Sequence, residues 1–184
     1  MHSHLVSTSK LLSLVLRHCP EAIGLTLDEQ GWANVDDLLE KARERNQPIT
    51  RELLLEVVQQ NDKQRFALSK DGTRIRANQG HSVSVNLGLE PREPPAVLYH
   101  GTATRFLESI FAQGLRPQNR HHVHLSSDRS TALRVGQRHG QPVILDVDAA
   151  AMRRDGQLFY CSENGVWLCD RVPPRFLSVT DSSQ

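Results

Sequence analysis

The 184-residue chain has 22 basic and 21 acidic side chains and a formal net charge of +1, so no global field marks it for nucleic acid or an anionic surface. Hydrophobic residues make up 38%, with no apolar run near the length of a membrane span, so no membrane partner is expected and the chain is read as one ordinary domain or two small ones. Cys19, Cys161 and Cys169 form no CxxC pair, and the opening MHSHLVSTSK lacks the order of a signal peptide; reduced thiols and a cytoplasmic location are expected.

The charge is unevenly distributed. Residues 1–90 hold 11 basic side chains; residues 91–184 hold another 11, all of them arginine. Arginine presents a planar fork of donors that matches phosphate oxygens, although a GC-rich genome would give the same bias.

In chain order, Ser9 to His18 has helical apolar spacing and stops at Pro20. After Leu25-Thr26-Leu27, a turn at Gly31 and Trp32, Asn34 is placed to cap a second helix. Thr50 is placed to cap a third, running through Asn61. RFALS, the turn KDG and TRIRAN then read as a hairpin with Asp-Gly as its tight turn. Three helices and a hairpin are the order of a winged helix. LEPREPP (89–95), with three prolines, reads as a linker. The expected division is therefore 1–90, a joint at 91–95, and 96–184.

In the second half, AVLYH reads as a strand, Thr104 to Gln113 as a helix closed by Gly114, HVHLS as a short strand, and Ser130 to Arg138 as a helix. PVILDVD, LFYCS, VWLCD and RFLSV read as further strands, with Glu163-Asn164-Gly165 as a tight turn. The expectation is a mainly antiparallel sheet with two helices, and an α+β class overall.

Several side chains stand out. Arg17-His18 ends the first helix, where it serves either as a cationic cap on the helix dipole or as a phosphate grip beside a titratable imidazole. Arg65 enters the hairpin. Arg74 and Arg76 share one face of its second strand, either solvated or turned to phosphates. Five of the nine histidines, His100, His121, His122, His124 and His139, fall within forty residues. A zinc site, histidines packed in a sheet, and a small-molecule cleft remain open for them. The cleft would use His100 and Thr102 as hydrogen-bonding groups, Gly101 for close approach and Ser126 on the facing strand. No GxGxxG, GxxxxGK[ST] or GxSxG motif occurs, so any dinucleotide is held in another way.

LSLVLRH, KQRFALSKDGTRIRANQGHS, LYHGT, NRHHVHLSS and NGVWLCDRVPPRFL, in that order from about Ser9 to Leu177, together resemble the RNA 2′-phosphotransferases known from tRNA splicing. The resemblance implies a winged-helix RNA lobe and an ADP-ribosyltransferase-like, NAD-binding lobe. It implies RNA bearing an internal 2′-phosphate as substrate, and NAD consumed as co-substrate. The RNA 2′-phosphate attacks the ribose carbon that carries nicotinamide. The neighbouring ribose hydroxyl then attacks phosphorus and expels the RNA 2′-OH, leaving ADP-ribose 1″,2″-cyclic phosphate. Neither a metal nor a protein partner is implied, and a monomer is expected.

Carried over by motif, the catalytic residues are Arg17, His18, Arg65 and Arg120. The NAD signature falls on His100, Gly101, Thr102, His122, His124 and Ser126. Gln118 stands where the family usually has methionine. Many ADP-ribosyltransferases carry a glutamate near a late strand; Val166 holds the matching position here, and Glu163 falls in the turn. A phosphate nucleophile is already ionised and needs no base. Two alternatives remain: transfer of ADP-ribose to terminal phosphates of RNA or DNA, and a non-catalytic nucleic-acid-binding adaptor.

Overall fold

The computed structural model describes residues 2–60 and 64–179. They form a mixed α+β structure whose chain divides into two compact units, Met1–Gly88 and Leu89–Gln184. No helix among the described residues is long and apolar enough to cross a membrane.

The first unit opens with α1, His2–Arg17, which begins well before Ser9. The apolar stripe continues back through buried Thr8 to Leu5, which packs against the core made by Leu12, Val15 and Leu16. A polar residue within the stripe hid that first part of the helix. β1 (Ala33–Asn34) leads into α2 (Val35–Glu44), where the Asn34 side chain accepts the Asp37 amide at 3.1 Å. Thr50 caps α3 (Arg51–Gln59), its hydroxyl accepting the Leu53 amide at 3.2 Å. The expected end of this helix at Asn61 lies outside the described residues.

β2 (Phe66–Leu68) and β3 (Arg74–Ala77) pair antiparallel with Phe66 opposite Ala77, and β1 pairs on the other side of β3. The turn differs from the tight Asp-Gly form. Gly72 donates to the Ser69 carbonyl, so Lys70 and Asp71 occupy the turn and Gly72 follows at φ +70°. The Asp71 carboxylate accepts from the Ser69 hydroxyl and from the Thr73 amide and hydroxyl, which hold its pKa down at about 2.

The second unit includes the proline-rich segment. Pro91 bridges to Tyr160, and the Arg92 amide donates to the Phe159 carbonyl at 2.7 Å. β4 (Val97–Ala103) runs through a 3-10 turn into α4 (Leu107–Gln113), which ends at Gly114 with φ +78°. β5 (Val123–Leu125) is followed by α5 (Arg129–Gly136), capped by Asp128 and extended by a 3-10 turn at Gln137–His139. Next come β6 (Pro142–Asp148), α6 (Ala149–Arg154), β7 (Tyr160–Cys161), β8 (Trp167–Cys169) and β9 (Leu177–Val179).

The expected single sheet is instead two three-stranded antiparallel sheets, β4-β6-β9 and β5-β8-β7. Tyr99 and Ser126 join them by exchanging two backbone hydrogen bonds of 2.8 Å. A third helix, α6, was not expected. It has only six residues, too short for periodicity, but Asp148 caps it and Ala149 and Met152 are fully buried. Leu98, Leu145, Val147 and Phe159 fill the core beside them, each such side chain adding about 1.5–3 kcal/mol on burial.

Candidate active site

In the first unit the Arg17-His18 pair sits where α1 stops. The amides of His18 and Cys19 both donate to the Leu14 carbonyl at 2.9 Å, closing the helix before Pro20. Arg17 is half-buried. Its Nη2 donates to the Arg65 carbonyl at 3.4 Å, and its guanidinium lies 5.9 Å from the Phe66 ring centre, within cation–π range. Gly80 lies against the same guanidinium, where an added Cβ would be 3.6 Å from Nη1. Arg65 is half-buried at the entry to β2, and its carbonyl also accepts the Asn78 amide at 2.9 Å. The fold thus brings the Arg17 side chain, His18 and the Arg65 backbone to one end of α1.

The loop after β3 completes this corner. Asn78 is buried and donates from its side chain to the Gln64 carbonyl at 2.6 Å. Ser82 and Val83 donate their amides to the Arg17 carbonyl. The Ser82 hydroxyl and His18 Nδ1 share a hydrogen bond of 2.9 Å. These contacts occupy the carbonyl end of α1, where the helix dipole favours cations.

Arg74 and Arg76 belong to a different neighbourhood. Their guanidinium carbons lie 5.3 Å and 4.6 Å from the Trp32 ring centre, and Arg74 pairs with Asp28 at 3.7 Å. The hairpin face is therefore a stack on an aromatic ring, tied to the loop before β1.

In the second unit the Tyr99–Ser126 bridge sets β4 beside β5. His100 Nδ1 and the His124 carbonyl share a hydrogen bond of 3.1 Å. Burial pushes the His100 pKa down; the bond to the carbonyl opposes this, and the charge of His139 adds to it. Burial thus favours the neutral form of His100. Arg120 Nη1 lies 3.4 Å from His124 Nδ1, so His100, His124, Arg120 and His139 form one neighbourhood. Arg120 ends a turn whose left-handed residue is Gln118, φ +56°, and its amide donates to the Pro117 carbonyl at 3.0 Å.

Gly101 packs tightly against α5. An added Cβ would lie 1.7 Å from the Ala132 carbonyl oxygen and 2.9 Å from the Gly136 nitrogen. The close approach that glycine permits is made by the backbone of α5. Gly136 reciprocates, because a Cβ there would meet the Thr102 carbonyl oxygen at 2.7 Å. Strand alternation puts Gly101 on the face opposite His100 and Thr102. Thr102 itself is only 5% exposed.

Ser126 is engaged locally, its hydroxyl donating to the Asp128 carbonyl and accepting the Asp128 amide. That loop leads to the Asp128 cap, whose pKa is held down at about 2 by Thr131 and Ser130. His122 lies elsewhere, against the Tyr160 ring at 5.7 Å and 3.9 Å from Asp170. Burial lowers its pKa, Asp170 partly offsets this, and His121 adds to the lowering. Among the described residues no group of three His, Cys, Asp or Glu side chains is placed to hold a metal ion.

The comparisons with known proteins agree across nearly the whole chain. A profile for the RNA 2′-phosphotransferase, Tpt1 / KptA family matches residues 3–171. A probable RNA 2′-phosphotransferase of Agrobacterium fabrum strain C58 is 60% identical over 177 residues, covering 96% of this chain and 95% of that one. Proteins described in the same words from Pseudomonas aeruginosa PAO1 and Rhodopirellula baltica are 60% and 57% identical, covering 92% and 95% of this chain and 94% and 95% of theirs.

The chain belongs to the RNA 2′-phosphotransferase family.

In this family member the residues carried over by motif fall into two groups by contact. Arg17, His18 and Arg65 make one; His100, His124 and Arg120 make the other. Gly101 lies against α5, Thr102 is buried, the Ser126 hydroxyl bonds to Asp128, and His122 lies against the Tyr160 ring. Ser82 and Gly136 are neighbours that motif reasoning passed over, and His139 is the clustered histidine to which the motifs gave no role. Ser82 ends the polar run NQGHS, and the sequence signal for it was its place within a matched block. Val166 directly precedes β8 and donates its amide to the Ser162 hydroxyl, while Glu163 is exposed in the turn before it.

Proposed function

We propose that the chain removes an internal 2′-phosphate from RNA at the expense of NAD. The observation that carries this reading is that Arg17 and His18 end α1 with the Arg65 backbone bonded to the Arg17 guanidinium, in a chain of this family. A 2′-phosphate beside a phosphodiester is dense in negative charge, and two guanidinium forks offset it while aligning an attacking oxygen. Arg120, in the second unit, is the further arginine that the family's motif carries over, and a guanidinium of that kind suits charge that spreads on phosphorus.

The atom balance is as follows. A 2′-phosphate oxygen bonds to the ribose carbon, and nicotinamide leaves with the electron pair of its glycosidic bond. The adjacent ribose hydroxyl then bonds to phosphorus and gives up a proton, while the RNA 2′-oxygen departs and takes one. The products are 2′-OH RNA, nicotinamide and ADP-ribose 1″,2″-cyclic phosphate. His18 handles a proton in the second step.

The residues of the second unit fit a dinucleotide held without a glycine-rich phosphate loop. A neutral His100 beside His124 offers hydrogen bonds without a counter-charge, and Arg120 suits the pyrophosphate or the incoming phosphate. The backbone seam of Gly101 and Gly136 holds β4 and α5 close, on the stretch where the family's NAD signature falls. NAD supplies the electrophilic carbon and the leaving group. The order of three helices and a hairpin supports a winged helix for the first unit, and the antiparallel sheets support an ADP-ribosyltransferase-like second unit.

The test is loss of 2′-phosphate from a 2′-phosphorylated oligoribonucleotide with NAD and after its strict removal. Loss only with NAD is expected. Dephosphorylation that continues without NAD excludes the route.

A further inference from the structure

The imidazole assigned to proton handling has a partner that none of the assigned residues supplies. His18 stands one residue beyond α1, and its Nδ1 shares a 2.9 Å hydrogen bond with the Ser82 hydroxyl. Ser82 comes 64 residues later in the chain. Its position does not depend on that hydroxyl. The Ser82 amide donates to the Arg17 carbonyl at 2.9 Å, and the Val83 amide donates to the same oxygen at 3.3 Å. The last carbonyl of α1 thus fixes the Ser82 backbone, and the Ser82 side chain reaches back to the ring. The hydroxyl oxygen also lies 3.4 Å from that carbonyl.

We infer that Ser82 is a positioning residue: its hydroxyl engages Nδ1 of His18, setting the ring rotation and keeping the proton of the neutral ring on Nδ1. This rests on the functional reading of His18 given above. A neutral imidazole has one N–H and one lone pair, so fixing one nitrogen assigns the other. A serine hydroxyl can donate or accept. Here the hydroxyl lies 3.4 Å from the Arg17 carbonyl, at the negative end of the helix, which favours donation that way. Donation in that direction leaves the oxygen lone pairs for Nδ1–H. The same contact serves the protonated ring, in which both nitrogens donate. One geometry therefore fits both charge states, as a group that takes up and releases a proton requires.

The test uses the full chain with Ser82→Ala and Ser82→Thr. Nitrogen NMR of labelled histidine reads the tautomer of His18 directly. In the wild type the proton is expected on Nδ1. In Ser82→Ala it should shift toward Nε2, the form that imidazole side chains favour in water, and Ser82→Thr should retain the wild-type pattern. With 2′-phosphorylated RNA and NAD, Ser82→Ala should lower kcat by about 10-fold, the scale of one hydrogen bond, with the KM for NAD unchanged. Ser82→Thr should recover most of that loss. An unchanged His18 tautomer in Ser82→Ala, or equal losses in both variants, overturns the proposal. A wild-type chain that releases no nicotinamide counts against the functional reading alone, and the tautomer measurement still decides the hydrogen bond.

Discussion

Gly101→Ala separates two meanings of the HGT motif. The added Cβ would sit 1.7 Å from the Ala132 carbonyl oxygen, 2.6 Å from its carbon and 2.9 Å from the Gly136 nitrogen. A carbon–oxygen contact settles at about 3.3–3.6 Å, so the carbonyl must retreat by roughly 1.6–1.9 Å. The obstacle is helix backbone, which has no rotamer to change. Overpacking that side chains can absorb costs about 1–3 kcal/mol, and a rigid obstacle puts this variant at the top, about 3 kcal/mol. For a unit the size of Leu89–Gln184 each kcal/mol moves the midpoint by roughly 4–8 °C, so its Tm should fall by on the order of 12–24 °C. Thermal unfolding by far-ultraviolet circular dichroism reads this, with nicotinamide release measured on the same samples. Gly136→Ala attacks the same seam from the other side, and the pair should be non-additive. A Gly101→Ala chain with wild-type Tm and selective loss of NAD binding would refute the packing argument and return Gly101 to the ligand.

Arg17→Ala, Arg65→Ala and Arg120→Ala should each cut 2′-phosphate removal by about 100-fold or more, the scale of one lost preorganised donor, whereas Arg153→Ala should not; equal small effects at all four would break the assignment. Burial lowers the pKa of His100 and His122 below their ordinary value, so the unfolded chain binds more protons below about pH 6.5. Their contribution to stability is full above that pH and is lost as pH falls through the folded values. Urea unfolding between pH 7 and 5 should show this slope, and His100→Asn should flatten it. Burial pushes the Cys169 thiol up to about 12, so iodoacetamide at pH 8 should leave Cys169 unmodified until the chain unfolds. Mixing the protein with NAD and a 5′-phosphorylated oligonucleotide tests the alternative reaction, in which a stable ADP-ribosyl adduct would accumulate.

Where one residue carries a strong local preference, the sequence was readable. Asn34 and Thr50 cap the helices they precede because their side chains reach an amide three residues on. β2 and β3, β4, β5 and β6 follow from their apolar runs. The sequence misled where tertiary contact decides the outcome. The first part of α1 is stabilised by Leu5 on a distant core, and α6 by the burial of Met152. The split into two sheets depends on which strands pair, which no local pattern states. At the candidate site the motif named the residues, but contact sorted them. Gly101 faces a helix, Ser126 serves its own loop, and Ser82 gains a partner 64 residues away.

The most direct test is product mass after incubating the chain with NAD and an oligoribonucleotide carrying one internal 2′-phosphate. The account predicts RNA lighter by that phosphate, together with nicotinamide and a cyclic phosphate of ADP-ribose. RNA that keeps the phosphate and gains ADP-ribose as its final state, or free inorganic phosphate with NAD intact, would contradict it.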